Sequence, residues 1–180
     1  MQERRVIPDS ELFKFFEEAK KRSERVNWYG YFVTLYMTCS RVSEITSLKK
    51  SQIKNGIIQF HKTKAKPKAV FIHPQLRPIL EEAIKRSKVE LVFPNINGEE
   101  INRRKIRDRM IELCRLVGIP KATPHDLRHT FASRIDIESY VKQKIGGWVN
   151  KRVLEDTYNH PAEDIVRQAY FGVDLMPKSE

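Results

Sequence analysis

Leu12, Phe15, Phe16 and Ala19 recur at helical spacing behind two candidate caps, Asp9 and Ser10, and the pattern fades over residues 20–25. Residues 28–37 are apolar and aromatic-rich, which predicts a buried helix despite its β-branched members. A short helix over about 41–48 is expected next, with Ile45 and Leu48 facing inward. Gly56 opens a strand over 57–61, a basic turn follows, and 69–72 reads as the returning strand of a β-hairpin. Pro74 begins another amphipathic stretch, with Leu76, Ile79, Leu80, Ala83 and Ile84 on one face. Residues 91–93 suggest a short strand and 94–98 a loop. Ile106, Met110, Leu113 and Leu116 then mark a long helix that Gly118 ends. Further helices are predicted over 124–134, 138–145, 151–158 and 163–171. The fold class is mainly α with one small antiparallel β-sheet (α+β), without repeats, linkers or low-complexity tracts.

Composition narrows the partners. Lys and Arg number 34 against 23 Asp and Glu, a net charge of +11, and the isoelectric point is near 9.7. Such a balance points to a polyanion, with nucleic acid ahead of an acidic membrane surface. No apolar run approaches the ~18 residues of a membrane span, and residues 1–5 lack the apolar centre of a signal peptide. Cys39 and Cys114 stand alone in hydrophobic neighbourhoods, which suits small buried thiols and a reducing, cytoplasmic compartment. No Cys/His spacing suits zinc, and the acids are scattered among bases, so neither a metal nor a cofactor is expected.

The residues richest in chemistry are Thr123-Pro-His-Asp-Leu-Arg-His-Thr-Phe131. Thr123 can cap a helix and Pro124 suits its first position. His125 and Arg128 then lie one turn apart on one face, where an imidazole can handle a proton beside a guanidinium that holds a phosphate oxygen. An HxxR pair is a weak signal by itself. His129 points to another helix face and reads as structural.

Three segments together resemble the tyrosine recombinases of the phage-integrase family. Residues 36–48 (Tyr36-Met-Thr-Cys-Ser-Arg41-Val-Ser-Glu44-Ile-Thr-Ser-Leu48) are similar to the family's first signature box, His125-x-x-Arg128 to its second, and Tyr158-Asn-His160 to the surroundings of its nucleophile. The order of arginine, hairpin lysine, HxxR and tyrosine also agrees, and the resemblance covers about residues 8–165. It implies a tyrosine-recombinase catalytic-domain-like fold acting on double-stranded DNA as a synaptic homo-tetramer.

In-line attack on a phosphodiester concentrates charge on two non-bridging oxygens, and Arg41 and Arg128 can each present a planar fork of donors to them. The plainer reading of either arginine is a surface ion pair or a DNA-backbone contact, and for Arg41 a partly structural role with Glu44. The resemblance implies that Tyr158 attacks phosphorus, leaving a 3′-phosphotyrosine link that conserves bond energy for rejoining. Tyr140 and Tyr170 are its rivals. The resemblance also places a general acid near the hairpin tip, here Lys64 narrowly ahead of Lys62. Lys62, Lys66 and Lys68 read as DNA-phosphate contacts. His125 would take or share the tyrosine proton. Where the family commonly has Leu-Gly-His, this chain has Ile145-Gly-Gly-Trp148. Trp148 can donate an indole N–H to a phosphate oxygen but cannot transfer a proton.

The expected function is therefore a site-specific DNA recombinase or integrase catalytic domain. The alternatives are a non-catalytic basic DNA-binding module of the same fold, a type IB topoisomerase-like strand transferase and, most remotely, a metal-dependent nuclease. Residues 1–180 are expected to form one catalytic domain, with no N-terminal core-binding domain. The apolar face of the tail over 163–180 suggests docking on a neighbouring protomer; folding back onto its own core is the simpler alternative.

Overall fold

The computed structural model describes residues 5–61, 68–136, 145 and 163–179. Helix α1 (Asp9–Lys21) carries acids in its first turn and lysines in its last, as the helix dipole favours, and buries Leu12, Phe15, Phe16 and Ala19. Helix α2 (Trp28–Met37) is buried on every face except at Tyr29, so it forms the axis of the core. Its aromatic rings bind the layers around it. Phe32 meets Phe15 of α1 edge-on at 5.3 Å, Tyr36 meets Phe16 at 5.7 Å, and Tyr31 meets Phe93 at 5.9 Å. A Cβ on Gly30 would lie 2.7 Å from the Asn27 side chain, which itself caps α2, and 2.9 Å from the Phe93 ring, so this close approach requires glycine.

Helix α3 (Val42–Thr46) follows a sharp turn at Cys39, whose φ of 49° lies in the left-handed region. The sheet has three antiparallel strands in the order β1 (Ile53–Lys54), β2 (Ile57–Phe60) and β3 (Lys68–Phe71). Asn55 and Gly56 both have positive φ and link β1 to β2 by a two-residue turn, the geometry an Asn-Gly pair favours. The reading by apolar pattern misses β1, because two residues are too few to alternate; the Asn-Gly pair was the available signal. Phe60 pairs with Lys68 at the end of the hairpin where the chain enters and leaves residues 62–67.

Helix α4 (Arg77–Arg86) begins three residues later than Pro74 suggests. Residues 91–93 contribute one bridge, Lys49 to Leu91, instead of a strand. Helix α5 (Arg103–Leu116) ends where Gly118 adopts a φ of 68°, although Leu116 is 39% exposed and outside the core. Helix α6 (Pro124–Arg134) packs on α2 through Phe131 and Tyr36. The helices expected over 138–145 and 151–158 lie outside the described residues, apart from Ile145, which is helical and buried.

In the single chain, helix α7 (Glu163–Phe171) and the segment after it pack on their own core, the simpler of the two arrangements expected for this tail. Tyr170 and Leu175 are fully buried and Val166 nearly so, while Ile165, expected on the apolar face, is 55% exposed. The Tyr170 hydroxyl donates to the Met37 carbonyl at 2.7 Å. His73 packs edge-on against Tyr170 and its Nε2 lies 3.0 Å from the Val173 carbonyl. Gln75 accepts from the Leu175 amide and donates to Asp174. His73 and Gln75 carried no signal in the sequence, because their partners are a hundred residues away. Tyr170→Phe removes one buried hydrogen bond and should cost about 1 kcal/mol, read as a lower denaturant midpoint at constant slope.

Candidate active site

The site is built where α2 ends and α3 begins. Arg41 is the N-cap of α3, in extended backbone geometry. Glu44 reaches back to accept from the Arg41 amide at 2.8 Å and from its Nη1 at 3.0 Å. One buried carboxylate thus sets both the backbone and the guanidinium of Arg41. The Glu44 side chain is fully buried and that of Arg41 is 38% exposed, so the guanidinium is anchored from below and open above.

Arg128 arrives from α6. Thr123 caps this helix: its hydroxyl accepts from the Asp126 amide at 3.4 Å, and Asp126 accepts from the Thr123 amide and hydroxyl at 2.7 Å. Pro124 occupies the first turn, as its fixed φ favours. This start sets the phase of the helix. Leu127, Arg128 and Phe131 turn inward and His125 stays exposed at the helix entrance. Arg128 is 4% exposed, and its Nη1 donates to the Cys39 carbonyl. The Cys39 thiol in turn contacts the Arg128 carbonyl at 3.6 Å, so the turn and the helix grip each other in both directions. Burial lowers the Arg128 pKa, and the nearby charge of Arg41 lowers it further, against the pull of Glu44. The two arginines therefore feel each other's charge across Cys39 and Ser40.

Lys68 completes the cluster. The basic turn suggests a solvent-facing phosphate contact, yet Lys68 is the first residue of β3 and only 6% exposed. Strand pairing with Phe60 points its side chain inward, where Nζ donates to the Thr38 carbonyl at 3.0 Å and to Ser40 Oγ at 3.2 Å. Glu44 Oε2 lies 3.8 Å away. Burial pushes its pKa down to about 8, against the opposing charge of Glu44. The Lys68 ammonium is thus directed at the turn between α2 and α3.

Lys62, Lys64, Lys66, Trp148, Tyr158 and its rival Tyr140 lie outside the described residues. Tyr170 does not meet the requirements of a nucleophile: it is fully buried, hydrogen-bonded to Met37, and burial raises its pKa far above the usual phenol range. His129, one turn further along α6 than His125, is half-buried. Among the described residues no group of three or more His, Cys, Asp or Glu is placed to hold a metal ion. Cys39 and Cys114 are buried free thiols, and burial raises the pKa of both.

A mostly helical fold with a three-stranded sheet, two neighbouring arginines, one capping α3 and one from α6, and the motif order along the chain define one class of protein. The chain belongs to the phage integrase family, whose profile matches residues 5–164. Tyrosine recombinase XerC of Staphylococcus aureus (strain bovine RF122 / ET3-1) is 28% identical over 181 residues, covering 94% of this chain and 60% of the relative. This chain thus spans about three fifths of that relative's length. Among solved structures, XerA recombinase superposes with a TM-score of 0.72 at 22% identity, over 96% of this chain and 66% of that one. A lambda integrase tetramer bound to a Holliday junction gives 0.73 at 16% identity, over 91% of this chain and 51% of that one. The recombinase fold is therefore shared.

Proposed function

We propose that this chain is the catalytic part of a site-specific DNA recombinase or integrase that cuts and rejoins strands through a 3′-phosphotyrosine intermediate. The observation that carries this reading is that Arg41 and Arg128 are neighbouring charges, one fastened by Glu44 and the other by the Cys39 carbonyl. Two guanidinium forks fixed before substrate arrives can bind the non-bridging oxygens of a five-coordinate phosphorus without reorganising, the arrangement in which electrostatic stabilisation is strongest. Membership of the phage integrase family supports the same chemistry.

In this mechanism the Tyr158 oxygen attacks phosphorus as the bond from phosphorus to the 5′-oxygen breaks. His125, exposed at the start of α6, takes or shares the phenol proton. Lys64, or Lys62 in its place, protonates the leaving 5′-oxygen. Trp148 donates its indole N–H to a phosphate oxygen. Lys62 and Lys66 hold flanking phosphates. Attack of a 5′-hydroxyl on the phosphotyrosine reverses the steps and needs no external energy source.

Assembly as a tetramer on double-stranded DNA, the state in which the lambda integrase structure is described, belongs to the same proposal. So does an intracellular setting, which the two free thiols support. Among the described residues no helix is long and apolar enough to cross a membrane. The test is incubation with a pool of nicked duplexes of randomised sequence that trap the covalent product, followed by mapping of the attached residue. Attachment at Tyr158 is expected; attachment elsewhere, or none, overturns the reading.

The hairpin lysines are separated by the leaving group. A 5′-phosphorothiolate departs without protonation, so it should restore cleavage to the variant lacking the general acid and to no other. Rescue is expected for Lys64→Ala, with Lys62→Ala the alternative. Rescue of neither places the acid elsewhere.

A further inference from the structure

Lys68 lies within the site, and the mechanism above gives it no step. Its ammonium sits below the turn from α2 to α3 and spends its donors on that turn. The Thr38 carbonyl is at 3.0 Å, the Cys39 carbonyl at 3.5 Å and Ser40 Oγ at 3.2 Å. These residues follow the C-terminal end of α2, where carbonyls left without helical partners favour a cation. The Phe60 ring of β2 lies 5.3 Å from Nζ on another side.

The same turn adjoins both arginines. The Cys39 carbonyl is shared between Lys68 and Arg128 Nη1. Ser40 immediately precedes Arg41, and Glu44, which holds the Arg41 guanidinium at 3.0 Å, lies 3.8 Å from Lys68 Nζ. A left-handed, non-glycine residue such as Cys39, with φ 49°, persists only when its surroundings over-determine it. Lys68 supplies part of that constraint from the sheet.

We infer that Lys68 is a positioning residue, which locks the Thr38–Ser40 turn and the Glu44 carboxylate so that Arg41 and Arg128 are preset for one phosphate. The inference rests on the strand-transfer reading for its consequence, though not for its geometry. It also ties the arginine pair to the β2–β3 hairpin, because Lys68 is the first residue of β3. The groups facing its ammonium are Glu44 of α3, Cys39 of the turn, Arg128 of α6 and Arg41 at the α3 cap. With burial pushing its pKa down to about 8, Lys68 is charged at neutral pH and loses its proton as pH rises through that value.

The experiment compares the whole chain as wild type, Lys68→Met and Lys68→Arg, with two readouts. The first needs no DNA: solvent exchange of the Arg128 side-chain N–H groups, followed by nuclear magnetic resonance. Lys68→Met should speed that exchange by about tenfold or more, since local opening is what burial and the Cys39 bond suppress, whereas Lys68→Arg stays near wild type. The second is the single-turnover rate of adduct formation on the nicked duplex pool. Lys68→Met should lower it about 10²-fold, the scale of an ångström-sized misplacement of catalytic groups. Lys68→Arg should retain the rate at neutral pH and lose the decline that wild type shows above pH of about 8.

Unchanged exchange and rate in Lys68→Met overturn the inference. Should Lys68→Met fail to fold, Lys68→Arg decides: an alkaline decline identical to wild type overturns it and a flattened one supports it. A wild type without adduct sinks the strand-transfer reading alone, and the exchange readout still decides whether Lys68 positions Arg128.

Discussion

Tyr158→Phe is expected to abolish covalent attachment to DNA and to lower strand cleavage by at least roughly 10⁴-fold, the scale on which removal of a nucleophile is felt. The substitution deletes one oxygen and keeps the ring. Binding to DNA should stay near wild type, because phosphate contacts from a chain of net charge +11 dominate affinity. Denaturing gel electrophoresis reads the adduct, and a salt titration of binding reads the contacts. Tyr170 provides the internal control, since its hydroxyl is committed to the Met37 carbonyl in the core. Tyr170→Phe should form the adduct and lose only stability. If Tyr158→Phe still forms the adduct while Tyr140→Phe does not, the nucleophile has been assigned to the wrong tyrosine.

Arg128→Lys should lower the rate of the chemical step by roughly 10²- to 10³-fold, with a smaller effect on DNA binding. A lysine keeps the charge but has no second arm: it cannot donate to the Cys39 carbonyl and still present a planar fork to a phosphate. The 4% exposure of Arg128 makes the demand on geometry strict. Arg41→Lys should show the same pattern less severely, because its side chain is 38% exposed and a lysine can still reach Glu44. Single-turnover cleavage at saturating protein separates the two steps. Equal rates with weaker binding would demote either arginine to a backbone contact. Thermal melts of both variants guard against loss of fold, to which Arg128→Lys is the more exposed.

Much of this architecture was legible because its signals are local. The span of α2 follows from an uninterrupted apolar run, and α6 follows from Thr123 and Pro124 at its start. His125 and Arg128 were joined in the sequence by helical phase, and Arg41 by the resemblance of residues 36–48 to the family's first signature box. Signals were weakest where a partner is distant. Lys68 looked like one charge among four on a basic turn, and only its register against Phe60 turns it inward. The tail read as an amphipathic helix in search of a surface. What covers it is His73, Gln75 and the end of α2, none of which the tail's own pattern names.

The sequence by itself determined the helices of the described residues, the hairpin, the basic character and the motif order, because capping, periodicity and turn chemistry act over a few residues. Tertiary structure decided which charges are buried and which carbonyls they meet, since these depend on segments brought together from far along the chain. Cys39 shows the division most clearly. Its side chain announces a small buried thiol, but the group that matters is its backbone carbonyl, shared by Arg128 from α6 and Lys68 from β3. Every residue has such a carbonyl, so no side-chain pattern can single this one out; the left-handed turn aims it, and the packing of α2, α6 and the sheet surrounds it with cations.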